Sequence, residues 1–115
     1  GEILLTSVDH EGTGKGMNID LVEKVSKAVS IPIICHGGAG NKSDILDVAK
    51  KVNVSGVAIS SILHYEFLLK KQNRSFEISS GNLEYLTSGR MPSNIQPLTI
   101  KKLKKYLSDS KILCT

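Results

Sequence analysis

Residues 32–52, Pro-Ile-Ile-Cys-His-Gly-Gly-Ala-Gly-Asn-Lys-Ser-Asp-Ile-Leu-Asp-Val-Ala-Lys-Lys-Val, contain a complete strand–loop–helix unit. Pro32 ends whatever helix precedes it and biases Ile31 towards extended backbone. Pro32-Ile33-Ile34-Cys35 is apolar at consecutive positions, as in a strand of a buried parallel sheet. His36-Gly37-Gly38-Ala39-Gly40 follows as a glycine loop. From Ser43 to Val52 the period changes, and Ile45, Leu46, Val48 and Ala49 mark one face of a helix.

The same unit recurs on both sides. Upstream, Ile3-Leu4-Leu5-Thr6-Ser7-Val8 predicts a strand buried on both faces, and Asp9 to Gly16 a polar, glycine-rich loop. Asn18 then caps a helix of about three turns marked by Ile19, Val22, Val25 and Val29. Downstream, Val54 to Ile59 predicts a third strand, and Ser60-Ser61 opens a helix through Ile62, Leu63, Phe67 and Leu68. Strand, loop and helix in succession are the signature of parallel β-α units and place the chain in the α/β class. The stretch from about 72 to 97 is rich in Ser, Asn, Gly and Pro and predicts a loop-rich insertion, with a short helical turn at Glu84-Tyr85-Leu86. A last helix is expected from Thr99, as cap, to Ser108.

Three parallel strands need cover on both faces and leave two unpaired edges. A closed eight-stranded barrel takes about 250 residues. The 115 residues are therefore expected to form a single piece, 1–115, from the C-terminal part of a (β/α)8 barrel. Gly1, followed at once by a strand-like run, is read in the same sense.

Composition narrows the function classes. The net charge is +4, and the basic residues gather at Lys70-Lys71 with Arg74 and at Lys101-Lys102 with Lys104-Lys105. Ile100, Leu103 and Leu107 recur at helical spacing through the second cluster. The lysines thus read as the solvated face of an amphipathic helix, and no nucleic-acid partner is expected. Cys35 and Cys114 have no framework spacing, which suits a reducing, cytoplasmic location. No apolar run reaches the roughly 18 residues of a membrane span. His10, His36 and His64 lack metal-ligand spacing, so neither a metal nor another cofactor is assigned. Cys35 reads as a small buried strand residue, because a cysteine nucleophile needs an activating partner.

Chemistry concentrates in the loops after the strands. Glycine-loop amides at a helix N-terminus can wrap an anion, helped by the helix dipole. Gly37-Gly38-Ala39-Gly40 offers close backbone approach, and Ser60-Ser61 offers hydroxyls and amides at the next helix start. Either loop alone is equally explained by a tight turn or a helix cap. Two such loops after consecutive strands match the phosphate site that (β/α)8 barrels build after their last two strands. An aspartate at Gly38 is expected to stand where the anion sits and to abolish binding of phosphorylated ligands. Asp9-His10-Glu11-Gly12-Thr13 follows the first strand, where such barrels carry active-site groups. Its carboxylates could orient substrate or move protons, or could form a solvated acidic turn; the spacing allows both.

Glu2-Ile3-Leu4-Leu5-Thr6-Ser7, Asp9-x-x-Gly12-Thr13, Pro32-Ile33-Ile34 with Gly37-Gly38-Ala39-Gly40, and Ser61-x-x-His64 together resemble the cyclase subunit of imidazole glycerol phosphate synthase. The similarity covers residues 1 to 65 closely and the final helix more loosely. It implies a partial TIM (β/α)8 barrel whose strands are the sixth to eighth. It also implies a lyase of histidine biosynthesis that takes ammonia from a glutaminase partner and acts on a substrate with a phosphate at each end. By the resemblance, Glu2 matches a charged residue of the ammonia gate, Thr6 a threonine facing the active site, and Glu11 an acidic active-site position that is Asp in the family. Gly12 matches the glycine after that residue, while Gly37, Gly38 and Ser61 match phosphate contacts. Ser60 is added to that group from its place in the loop, with His36 and Asp9 as further substrate contacts.

Departures from the family stand where His10 and His36 replace a usual Arg and a small residue, and at about residues 65–97, which lack a counterpart. They point to an alternative, a relative that amidates sugars in surface-polysaccharide synthesis. A third reading is a non-catalytic phosphate-binding module that oligomerises to complete a barrel. The family's catalytic aspartate pair lies on the first and fifth strands, so no cyclase activity is expected from these residues alone.

Overall fold

The computed structural model describes residues 1–71 and 93–115. Three parallel strands, β1 (Ile3–Thr6), β2 (Ile33–His36) and β3 (Gly56–Ala58), lie in the order β1-β2-β3. Helices α1 (Ile19–Ala28), α2 (Lys42–Lys51) and α3 (Ser61–Lys71) follow the strands in turn, and α4 (Ile100–Asp109) closes the described chain. The expected α/β repeat is borne out and is consistent with part of a (β/α)8 barrel. The short helical turn expected at residues 84–86, and most of the insertion expected at 72–97, lie outside the described residues.

Local chemistry accounts for the boundaries. The Asn18 side chain accepts from the Leu21 amide at the start of α1 (3.1 Å). At α2 a capping box forms, with Asn41 accepting from the Ser43 and Asp44 amides while Asp44 accepts from Asn41. Thr99 caps α4 by accepting from the Lys102 amide (3.3 Å). α4 buries Leu103 and Leu107 while Lys101, Lys102, Lys104 and Lys105 face solvent, as their spacing predicted. Ile100 departs from that stripe and is 48% exposed.

The register pairs Leu5 with Cys35 and Cys35 with Val57. These side chains share one face of the sheet, which packs on the helices. One core cluster joins Met17, Val22, Cys35, Val48 and Val52; a second joins Ile45, Ile62, Ile95, Leu103 and Leu107. Ala39 and Val57 border both, so α2 sits centrally, sending Val48 into one cluster and Ile45 into the other. The opposite face carries two rows set by the register, Leu4–Ile34–Gly56 and Thr6–His36–Ala58.

That face corrects the expectation of a first strand buried on both sides. Leu4 is 62% exposed because the described helices pack on the other face, and Val8, 78% exposed, lies beyond the end of β1 in the turn that follows. A second correction concerns the loop boundary. His36 is the last residue of β2, paired with Thr6 and Ala58, and the glycine loop begins only at Gly37.

Candidate functional site

The C-terminal ends of the three strands converge on a hollow of about 150 Å³. Glu11 and Gly12 reach it from the loop after β1, His36 to Ala39 from the end of β2, and Ala58 to Ser61 from the end of β3. A larger hollow of about 310 Å³ lies between β3 and α4. Aliphatic side chains such as Ile45, Val57, Leu103 and Leu107 dominate it, so the chemistry belongs to the smaller one.

The first wall is a folded loop. The amides of His10 and Glu11 donate to the Ser7 carbonyl (3.1 and 2.9 Å), and the Thr13 hydroxyl donates to the His10 carbonyl (2.7 Å). Gly12, at φ +72°, turns the chain so that Glu11 and Gly12 edge the hollow. The exposed Glu11 and Gly12 are therefore brought to the site. The exposed Asp9 is left outside its lining.

The second wall locks onto the first. Gly37 and Gly38 are buried with φ of +98° and +100°. The Gly16 amide donates to the Gly38 carbonyl (2.9 Å), and His10 Nδ1 donates to the Gly16 carbonyl (2.8 Å). A Cβ on Gly38 would collide with the Gly16 carbonyl oxygen and meet His10 Cβ at 2.9 Å. It would point into the first loop and not at an anion, which corrects the reason given for the expected effect of an aspartate at Gly38. Strain and collision would unseat the loop before any charge effect was felt.

Gly40 departs from its expected role as well. It lies outside the hollow, and a side chain there would strike the Gly14 and Asn94 carbonyl oxygens. Its amide, with that of Asn41, donates to Asp44 Oδ2 (2.8 and 3.0 Å). These two amides just before α2, and the Ser43 and Asp44 amides that donate to Asn41, are thus occupied by side chains of the helix's own cap. The helix that presents its N-terminus to the hollow is α3, whose first residue, Ser61, lines it and whose first turn has no acidic residue. The Ser60 carbonyl accepts from the Leu63 and His64 amides (3.0 and 2.9 Å), starting that helix with Ser60 exposed above it.

Thr6 and His36 meet across the open face, Thr6 Oγ1 lying 3.3 Å from His36 Nδ1. Glu2, exposed, precedes β1 at the opposite end of the sheet from the hollow. Burial pushes the Cys35 thiol up to about 11, and its Sγ donates weakly to the Gly56 carbonyl (3.6 Å). That suits the packing role expected of it. His64 stacks edge-on with Tyr65 at 5.6 Å. No group of three or more metal-ligating side chains occurs among the described residues. No described helix is long and apolar enough to cross a membrane.

Ile95 and Gln96 were not legible as part of this region. Ile95 is 3% exposed in the second core cluster, and the Gln96 amide donates to the Gly40 carbonyl (2.7 Å). A lone isoleucine in a polar, proline-bounded stretch carries no period to announce it.

A family model described as "Histidine biosynthesis protein" matches residues 1–68. The chain belongs to this family. The imidazole glycerol phosphate synthase subunit HisF of Prochlorococcus marinus (strain AS9601) is 45% identical over 76 residues, 66% of this chain and 30% of that protein. The HisF subunit of Streptococcus sanguinis (strain SK36) is 49% identical over 65 residues, 56% of this chain and 26% of that protein. The HisF subunit of Bacillus cereus (strain AH187) is 46% identical over the same length. The chain thus spans about three-tenths or less of the length of these relatives. The family expected from the loop motifs is borne out, and its match takes in all three strands and both glycine- and serine-bearing loops of the hollow.

Proposed function

We propose that this chain forms one phosphate grip of a HisF-type cyclase, as the sixth to eighth strands of its barrel. The observation that carries the reading is the convergence of three successive strand ends on one hollow, within the segment that matches the family. Gly37, Gly38 and Gly12 supply close backbone approach, and Ser60 and Ser61 supply hydroxyls and the positive end of α3. Glu11 stands at the rim as the acidic group nearest the bound substrate. Thr6 acts through His36, and Asp9 contributes from outside the lining. By resemblance, Glu2 belongs to an ammonia gate at the far end of the barrel, and a glutaminase subunit supplies the ammonia. The reaction is carbon–nitrogen bond formation and ring closure on a doubly phosphorylated substrate. The acid/base pair comes from strands outside these residues, so residues 1–115 alone bind phosphate without turning over.

Glu11 and His36 both line the hollow, and this favours a second reading in which the same grip serves a phosphorylated sugar that is amidated. The full-length protein, given ammonia and the doubly phosphorylated histidine-pathway substrate, separates the two. Formation of the imidazole product supports the cyclase. A folded barrel that binds inorganic phosphate and gives no product excludes the cyclase in favour of the sugar reading.

A further inference from the structure

We propose that His36 is the pH-sensitive, charge-bearing element of the anion hollow, its imidazolium supplying the positive charge that the glycine and serine loops lack. The inference rests on the phosphate reading above and deepens it.

Among the described residues that line the hollow, only Glu11 and His36 can carry a charge. The Glu11 carboxylate opposes a phosphoryl dianion, while backbone amides and hydroxyls bring dipoles without net charge. The remaining neighbours of His36 are neutral, Thr6 on β1 and Ala58 on β3. The small Ala58 leaves the ring room on the sheet. His10 is the other imidazole nearby, but its Nδ1 is committed to the Gly16 carbonyl and it stands behind Gly38, outside the lining.

Thr6 fixes how the ring is used. In the neutral ring the Thr6 hydroxyl donates to Nδ1, which leaves the proton on Nε2. On protonation Nδ1 donates to the same Thr6 oxygen, since a hydroxyl can turn to accept. Both forms hold one orientation, and only the charge of the ring changes. Among the described residues Nε2 has no partner, so it is the nitrogen available to the anion.

The test uses the full-length protein and inorganic sulfate, whose charge stays fixed while histidine titrates. Sulfate affinity is expected to rise about tenfold from about pH 8 to about pH 5.5, the gain typical of adding a charge to a hydrogen bond. In His36→Gln, whose amide can donate a hydrogen bond but cannot gain a charge, the sulfate profile is expected to be flat. Saturating sulfate is also expected to raise the His36 titration midpoint in the parent protein, followed by NMR, since linkage is reciprocal. A flat sulfate profile, a His36→Gln profile like the parent's, or an unmoved midpoint overturns the role of His36. Binding of phosphate without sulfate overturns it too, because the discrimination then lies with Glu11 accepting from a protonated phosphate. Binding of neither anion removes the phosphate reading itself.

Discussion

Gly38 and Ser61 both touch the hollow, yet substitutions at the two test different things. Gly38→Ala adds a methyl group at positive φ against the Gly16 carbonyl, and Gly40→Ala wedges one between two carbonyls. Each is expected to cost about 2–3 kcal/mol, the range of overpacking, read from the urea midpoint. Loss of anion binding in either would therefore say little about the anion. Ser61→Asp is the informative change. An acidic residue at the first position of α3 suits the helix dipole and is expected to leave stability unchanged or raise it by about 0.3–1 kcal/mol. The same carboxylate stands in the hollow and is expected to weaken phosphate binding at least about tenfold, measured by calorimetry. Cys35 offers a separate check on the core. Its thiol is held up to about 11 from an ordinary 9.0, so the folded chain keeps a proton that the unfolded chain loses between those values. Stability from this group is therefore complete below pH 9.0 and declines as pH rises through the window. Alkylation of the native protein is expected to label the exposed Cys114 and spare the buried Cys35 until unfolding.

Helices α2 and α3 begin alike in sequence position and differ in what their first amides do. At α2, Asn41 and Asp44 satisfy the turn from within. Asn41→Ala is expected to cost about 1 kcal/mol of stability by thermal unfolding while phosphate affinity stays the same. An equal loss of affinity would show that α2 after all lends its N-terminus to the ligand. The Asn41-x-x-Asp44 spacing is a capping-box pattern, so this division of labour was readable from sequence, although the neighbouring glycines draw the eye first. The elements themselves were legible because alternation of apolar runs with helical periods is enforced by burial over many residues. The end of β2 was less so. His36 reads as loop because it is polar and precedes Gly37, but the pairing with Thr6 and Ala58 keeps it in the strand, and only the positive φ of Gly37 turns the chain. Depth of burial on β1 is not carried by the sequence for another reason. Consecutive apolar residues report what a face was selected to meet, and Leu4 is left 62% exposed by the described residues.

At the scale of the whole molecule, all described helices lie on one side of the sheet. In a closed barrel the row Leu4–Ile34–Gly56 would face the interior. Leu4→Lys is therefore expected to change the stability of the 115-residue chain by less than about 0.5 kcal/mol, as surface substitutions do. In a full-length barrel the same change would bury an unpaired charge and cost about 3 kcal/mol or more, compared by urea denaturation. Equal small costs in both would count against barrel closure over this face. The lock between Gly16 and Gly38 carries a different consequence, for the order in which the site comes into being. Neither the first loop nor the glycine turn can adopt its final path until β2 has docked beside β1, since each supplies the other's hydrogen-bond partner across 22 residues of chain. The local helices can form beforehand, but the hollow cannot. During synthesis the anion-binding surface is therefore expected to appear late and in a single step, so that a nascent chain in which β1 and α1 have emerged but β2 has not presents Glu11 without the glycine turn that completes the grip.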